Sequence, residues 1–193
     1  MLLWTMKPIE MWNELKETGV YHCDAGKFSM PEFRLHYDWL VEQMKKRIGA
    51  PPTGVELPVW AWYMKDGKRK KPDLRSERWA YGPGDEDYVC IEVDVDESRV
   101  LLSDFDAWSV ILCDGLLSAS EQEDEVLETQ YEKLSEAEQI KFKRENWERV
   151  FDISPCDNGW INQGSWVQAT FWELWLEDVR NVRFFRTGKL KRY

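Results

Sequence analysis

The sequence predicts an α+β fold, and three observations carry that expectation. Apolar residues recur at steps of three and four between residues 30 and 48, the period of an amphipathic helix. Between Tyr88 and Val95 they alternate one by one, the period of a half-buried strand. Helical and extended segments otherwise follow one another without regular strand–helix–strand alternation, which leaves mostly antiparallel strands with flanking helices. A length of 193 residues suits one domain spanning 1–193.

Leu2-Leu3-Trp4-Thr5-Met6 reads as a short buried strand. Pro8 suits a helix start, Ile9, Met11, Trp12 and Leu15 give that helix an apolar face, and Gly19 ends it as a left-handed cap. Val20 to Cys23 is extended again. Ser29 and Glu32 have capping-box spacing ahead of a helix from Met30 to Ile48, with Phe33, Tyr37, Leu40, Val41, Met44 and Ile48 inward and Gly49 as its stop. Leu57 to Met64 is an aromatic strand whose Pro58 confines its start to a strand end or edge.

A lysine-rich loop follows, then the alternating strand, with Val89, Ile91, Val93 and Val95 on one face. Arg99 to Leu102 is a strand, and Ser103 or Asp104 caps the helix that enters at Trp108. Ser120 to Tyr131 and Ser135 to Phe151 form two helices, an acidic hairpin inserted over residues 121–151. Trp166 to Leu176 reads as one long aromatic strand, and Val182 to Phe185 as a short closing one.

The formal net charge is −10, which argues against a general nucleic-acid binder. Ten acids and five bases lie between Glu121 and Arg149, so that stretch carries −5 of the −10. Two other segments are basic: Lys65 to Arg78, and Arg180 to Tyr193, which holds no acid. Brought together they form a cationic surface suited to phosphate; apart they are a solvated loop and a tail.

Cys23, Cys90, Cys113 and Cys156 lie far apart, without zinc spacing, and the reading is reduced, buried thiols and no metal. With His22 and His36 as the two histidines, a nucleophilic triad is not expected. No apolar run approaches a membrane span and Met1 to Lys7 lacks a signal-peptide pattern, so the expectation is a cytoplasmic protein without a membrane partner. Neither a dinucleotide-binding glycine fingerprint nor a Walker loop is present.

Twelve tryptophans mark the chain, most at core positions, and Trp60 and Trp62 share one strand face. Asp104 and Asp106 read as an acid–base pair or, with more weight, as helix capping. Arg75 reads equally as a phosphate fork or as a partner of Asp73. Gln168 and Glu173, polar within an apolar run, face either solvent or a site.

Leu3-Trp4-Thr5, Tyr37-Asp38-Trp39-Leu40, Val59-Trp60-Ala61-Trp62-Tyr63, Lys71-Pro72-Asp73-Leu74-Arg75, Leu101 through Trp108 and Val167 through Leu174 together resemble the bacterial domain-of-unknown-function 3841 family across nearly the whole chain. One departure is Lys7, where members tend to carry Gln. At the level of fold, Gly19 and Tyr21 after the first helix, the Trp/Tyr strand, and a late strand with Gln168 or Glu173 before Leu176, Val179 and Val182 are similar to small ADP-ribosyltransferase-like domains.

That similarity implies small, mostly antiparallel split sheets around a cleft for NAD. It implies Thr5 or Lys7 at the nicotinamide ribose, Tyr63 or Trp62 stacking nicotinamide, and Gln168 or Glu173 as the catalytic polar residue, and an enzyme of this kind needs Arg75 in the same cleft. The expected function is then NAD-dependent transfer of ADP-ribose to a protein or nucleic-acid target. Gln168 in place of an acid weakens that chemistry. The rivals are a non-enzymatic interaction protein docking through its acidic hairpin, and an RNA-end phosphotransferase of the same fold group.

Overall fold

The computed structural model describes residues 1–28, 30–81 and 84–188. Its elements are β1 (Leu2–Pro8), α1 (Ile9–Thr18), β2 (Val20–Tyr21), α2 (Arg34–Ile48), β3 (Val59–Met64), α3 (Leu74–Glu77), β4 (Asp87–Asp94), β5 (Leu101–Asp104), α4 (Phe105–Leu112), α5 (Glu121–Tyr131), α6 (Glu136–Asn146), β6 (Cys156–Asp157), β7 (Asn162–Gln163), β8 (Val167–Phe171), β9 (Leu174–Trp175) and β10 (Val179–Arg186). The fold is α+β, with antiparallel sheets and flanking helices. Six strands form one sheet in the order β10-β4-β1-β3-β8-β5, while β2 with β9 and β6 with β7 make two-stranded ribbons.

The centre of the large sheet is a seam. β1 runs in register with β4 from Leu2↔Asp94 to Pro8↔Tyr88, and β3 with β8 from Val59↔Phe171 to Met64↔Val167. Between β1 and β3 the register is the single pair Trp4↔Trp62. The Thr5 hydroxyl spans the same seam and donates to the Trp60 carbonyl at 2.8 Å. Two three-stranded halves are thus joined over a short length.

Strand alternation decides which side chain goes to which face. Leu3, Val59, Ala61, Val89, Ile91, Val93, Ala169 and Phe171 face α1, which contributes Met11 and Leu15. On the opposite face, α2, α4 and the 3₁₀ turn Trp147–Phe151 cover the β3–β8–β5 half around Trp39, Leu40, Met44, Trp108 and Ile111. The other half carries Trp4, Met6 and Cys90 under Leu74 and Tyr81 of the loop between β3 and β4.

Gly19 takes φ +78° and returns its N–H to the Leu15 carbonyl, so the expected left-handed cap forms. Asp104 caps α4 by accepting from Ala107 N at 2.9 Å. At α6 the Glu138 carboxylate accepts from the Ser135 backbone at 2.9 Å.

Four expectations change. A 3₁₀ turn, Pro31–Phe33, precedes α2, so α2 starts later than Met30; the proposed Ser29 cap lies outside the described residues. The long late strand breaks after Phe171. The bend is held by Trp172 Nε1 donating to the Gly49 carbonyl at 3.0 Å and by Arg99 Nη2 donating to the Glu173 carbonyl at 3.1 Å, so Leu174–Trp175 joins β2 instead. The closing strand is longer than expected and forms the β10 edge. The four cysteines are free, but Cys113 and Cys156 are exposed rather than buried. Among the described residues no helix is long and apolar enough to cross a membrane.

Candidate functional site

A cavity of about 750 Å³ opens on the seam, on the face away from α1. Trp4, Trp62 and Gln168 of its floor belong to one cross-strand row. Glu92 pairs with Trp4, Trp4 with Trp62, Trp62 with Gln168, and Gln168 with Ser103. Because paired residues share a face, five adjacent strands, β4-β1-β3-β8-β5, deliver an aromatic and polar strip without any loop being involved. Phe105 at the start of α4 and Trp166 just before β8 complete an aromatic wall. The Trp62 ring lies 5.3 Å from Phe105 and 5.8 Å from Trp166, the latter edge-on.

The loop between β3 and β4 forms the roof. Lys65 Nζ stands 4.7 Å from the Trp62 ring centre and 5.3 Å from that of Trp166, and it pairs with Glu77 on α3. Glu77 is 5% exposed; one carboxylate oxygen meets Lys65 and the other, Oε2, is buried without a partner among the described residues. Trp62 Nε1 donates to the Tyr81 hydroxyl at 3.0 Å, and burial pushes the Tyr81 phenol up to about 12. Lys70 and Lys71 also line the cavity, Lys71 standing 3.7 Å from the Glu92 carboxylate.

Gln168 Oε1 is likewise buried with no hydrogen-bond partner among the described residues, and the neighbouring Ser103 Oγ shares that condition. Buried acceptors are rarely left unmatched, since each costs about 1–3 kcal/mol. Two such oxygens in one cavity, Gln168 Oε1 and Glu77 Oε2, call for a ligand that brings N–H or O–H donors. Aromatic faces for a flat ring and lysines for an anionic group accompany them.

Of the residues the sequence singles out, the cavity brings together Thr5, Lys7, Trp62 and Gln168. The Thr5 hydroxyl is committed to the Trp60 carbonyl, so its contribution is to hold the seam. Burial pulls the Lys7 ammonium below the ordinary lysine range, an effect partly offset by nearby Cys23.

Three expected residues lie elsewhere. Tyr63 alternates to the α1 face, where Arg69 stacks on it at 4.1 Å. Glu173 sits at the bend after β8 and engages His22 at 2.7 Å and Trp175 Nε1 at 3.2 Å. Arg75 points to solvent and is held by Asp73 through Nε and Nη2, the latter at 2.8 Å, which lowers the Asp73 carboxyl to about 2. Of the Asp104–Asp106 pair, Asp104 takes the helix-capping role. Asp104 accepts from Ala107 N and, at 2.7 Å, from Gly164 N.

Glu77, Tyr81, Phe105 and Trp166 complete the cavity without having been singled out as site residues. Trp166 carried a signal, being two residues from Gln168 at the start of a strand and hence on its face. Glu77 carried none, because an acid in a basic loop reads as solvated.

Among the described residues one hydrogen bond joins the two basic segments: Arg183 on β10 donates to the Pro72 carbonyl at 3.0 Å. Arg180 and Arg186 pair instead with Asp94 and Asp85, while Lys189, Lys191 and Arg192 lie outside the described residues. Among the described residues no group of three or more His, Cys, Asp or Glu could hold a metal ion.

No curated protein and no solved structure matches the chain. The family described as "Domain of unknown function (DUF3841)" matches residues 2–180, nearly the whole length, and the protein belongs to that family.

Proposed function

We propose that the protein binds NAD, or a related nucleotide, in the seam cavity and transfers ADP-ribose to a macromolecular target. The observation that carries this reading is the unpartnered Gln168 Oε1, buried on the cavity floor beside the Trp62 ring. A carboxamide or a ribose hydroxyl supplies the donor this oxygen lacks, and the Trp62, Trp166 and Phe105 rings suit a flat heterocycle. Lys65, Lys70 and Lys71 suit a pyrophosphate. NAD supplies a glycosidic bond whose cleavage releases nicotinamide and leaves positive charge on the ribose.

Gln168 orients the ligand through its carbonyl oxygen but, being neutral, does not offset that charge. Glu77, buried and half-compensated by Lys65, is the negative group of the cavity interior. The loop residues Lys65 to Tyr81 cover the cavity and limit water.

Titration with NAD, followed by tryptophan fluorescence, tests the reading. Saturable quenching is expected, weakened about tenfold in Gln168→Ala, the loss of one hydrogen bond worth about 1.4 kcal/mol. Release of nicotinamide is the next readout. No response at millimolar NAD overturns the reading and directs attention to docking through α5 and α6, which expose Val126 and Ile140. The second reading, RNA-end phosphotransfer, needs both basic segments at the cavity, and of the two the first lines it, through Lys65, Lys70 and Lys71. An oligoribonucleotide with a terminal phosphate, binding where NAD does not, supports it.

A further inference from the structure

We propose that a second cavity, of about 560 Å³, binds a small organic ammonium ion between the Trp160 ring and the Asp106 carboxylate. The cavity shares no lining residue with the seam cavity. Val110, Leu116, Leu117 and Ile161 give it apolar walls. An apolar wall holds the body of a ligand; the charges decide which ligand.

Those charges are negative. Asp106 accepts no hydrogen bond and pairs with no cation among the described residues, and burial followed by the nearby Asp104 charge pushes its carboxyl up. Asp124 also lines the cavity, its Oδ1 accepting from Ser118 at 2.8 Å. The one cation, Arg149, is already spent on both Glu123 oxygens, at 2.9 and 3.1 Å. An anion is therefore repelled. With no triad of ligating side chains and several carbon walls, a bare metal ion is not suited either.

Trp160 is 46% exposed, yet its position is built. Its Nε1 donates to Ser118 Oγ at 3.1 Å, Asn158 Oδ1 accepts from Trp160 N and Ile161 N at 3.0 Å each, and Asn158 Nδ2 donates to the Ala119 carbonyl at 2.9 Å. At the far end of the loop Gly164, at φ +75°, gives its N–H to buried Asp104. A Cβ at Gly164 would stand 2.6 Å from the Ile153 carbonyl oxygen, so the loop accepts this path with glycine there. Hydrogen bonds thus fix a half-exposed indole in the wall of an acidic, apolar hollow. That arrangement favours an alkylammonium group, which gains from the ring, the carboxylate and the walls together.

The test is calorimetric titration with choline and with its neutral isostere 3,3-dimethylbutan-1-ol, on the full chain without NAD. Choline is expected to saturate in the millimolar range or below, with the isostere at least about tenfold weaker, since each ring or charge contact contributes about a factor of ten. Asp106→Asn and Trp160→Leu, both at exposed positions, are each expected to weaken choline about tenfold while leaving the melting temperature unchanged. Absence of saturation, equal binding of the isostere, or an unchanged choline affinity in either variant overturns the proposal. None of these readouts depends on whether the seam cavity binds NAD.

Discussion

Two aromatic clusters lie side by side on one face of the large sheet, and they differ in what covers them. Around Trp39 of α2 the rings of Phe151 and Trp147, both of the 3₁₀ turn, stand 5.8 and 5.5 Å away, stacked and edge-on, so the two elements close on each other over the sheet. Around Trp62 the rings of Phe105 and Trp166 stand at similar distances, but the cover is a loop of lysines, Glu77 and Tyr81. Residue type is the same in both. A helix with a continuous apolar stripe closes the first into core, whereas a polar loop closes the second only in part. The partner element, more than the tryptophan, separates packing from a candidate site.

The sharpest test of that difference is a pair of truncations. Trp39→Ala, at a side chain 1% exposed, is expected to cost about 3–5 kcal/mol. Trp62→Ala is expected to cost about 1–2 kcal/mol, because the ring is only half-buried, and to abolish the NAD-dependent fluorescence change. Urea titration of both variants checks the contrast, and equal losses would erase it.

Asp104 joins the two regions, since α4 sends Phe105 to the open cluster and Trp108 to the closed one. Asp104→Ala removes a helix cap and the anchor of Gly164 together, an expected loss of about 3 kcal/mol in urea. Asp104→Asn, which keeps one acceptor, is expected to lose about half of that.

Alkali reaches the open cluster through Tyr81, and Tyr81→Phe separates it from Tyr21 and Tyr37, whose phenols burial also raises. The Tyr81 phenol rises from 10.0 to about 12 in the folded state, chiefly through burial. Its contribution is complete below pH 10.0 and is lost as pH rises through about 12, because the unfolded chain releases the proton first. Urea midpoints should therefore fall between pH 10.0 and about 12, and less steeply in Tyr81→Phe. The smallest stability effect is expected at Gln168→Leu, within about 1 kcal/mol of the parent or slightly above it, since an unmatched acceptor is removed. Its nucleotide response should nonetheless be lost. A large loss of stability would mean that Gln168 serves the core.

Much of this architecture is legible locally. The zero exposure of Val89, Ile91, Val93 and Val95 follows from alternation, and the inward Leu40 and Met44 follow from helical spacing. The placement of Trp62 and Gln168 on one face follows from the same parity, once the strands are paired. What local pattern does not carry is the pairing itself. β10 lies beside β4 and β8 beside β3 through contacts far apart in sequence. Nor does it carry the bend after Phe171, where aromatic residues of strand character continue while two distant hydrogen bonds turn the chain. That bend is why Glu173 meets His22 rather than Gln168's cavity.

The single register pair between β1 and β3 has a mechanical consequence. A fully laddered sheet spreads a load over many hydrogen bonds, whereas here the load between two rafts falls on Trp4, Trp62 and the Thr5 hydroxyl. Amides along β4 and β8 should exchange with solvent as two separate protected groups, with the weakest protection along the joint between them. A ligand clasped across that joint would act as a rivet, and its binding would be read in the slowed exchange of strands it never touches.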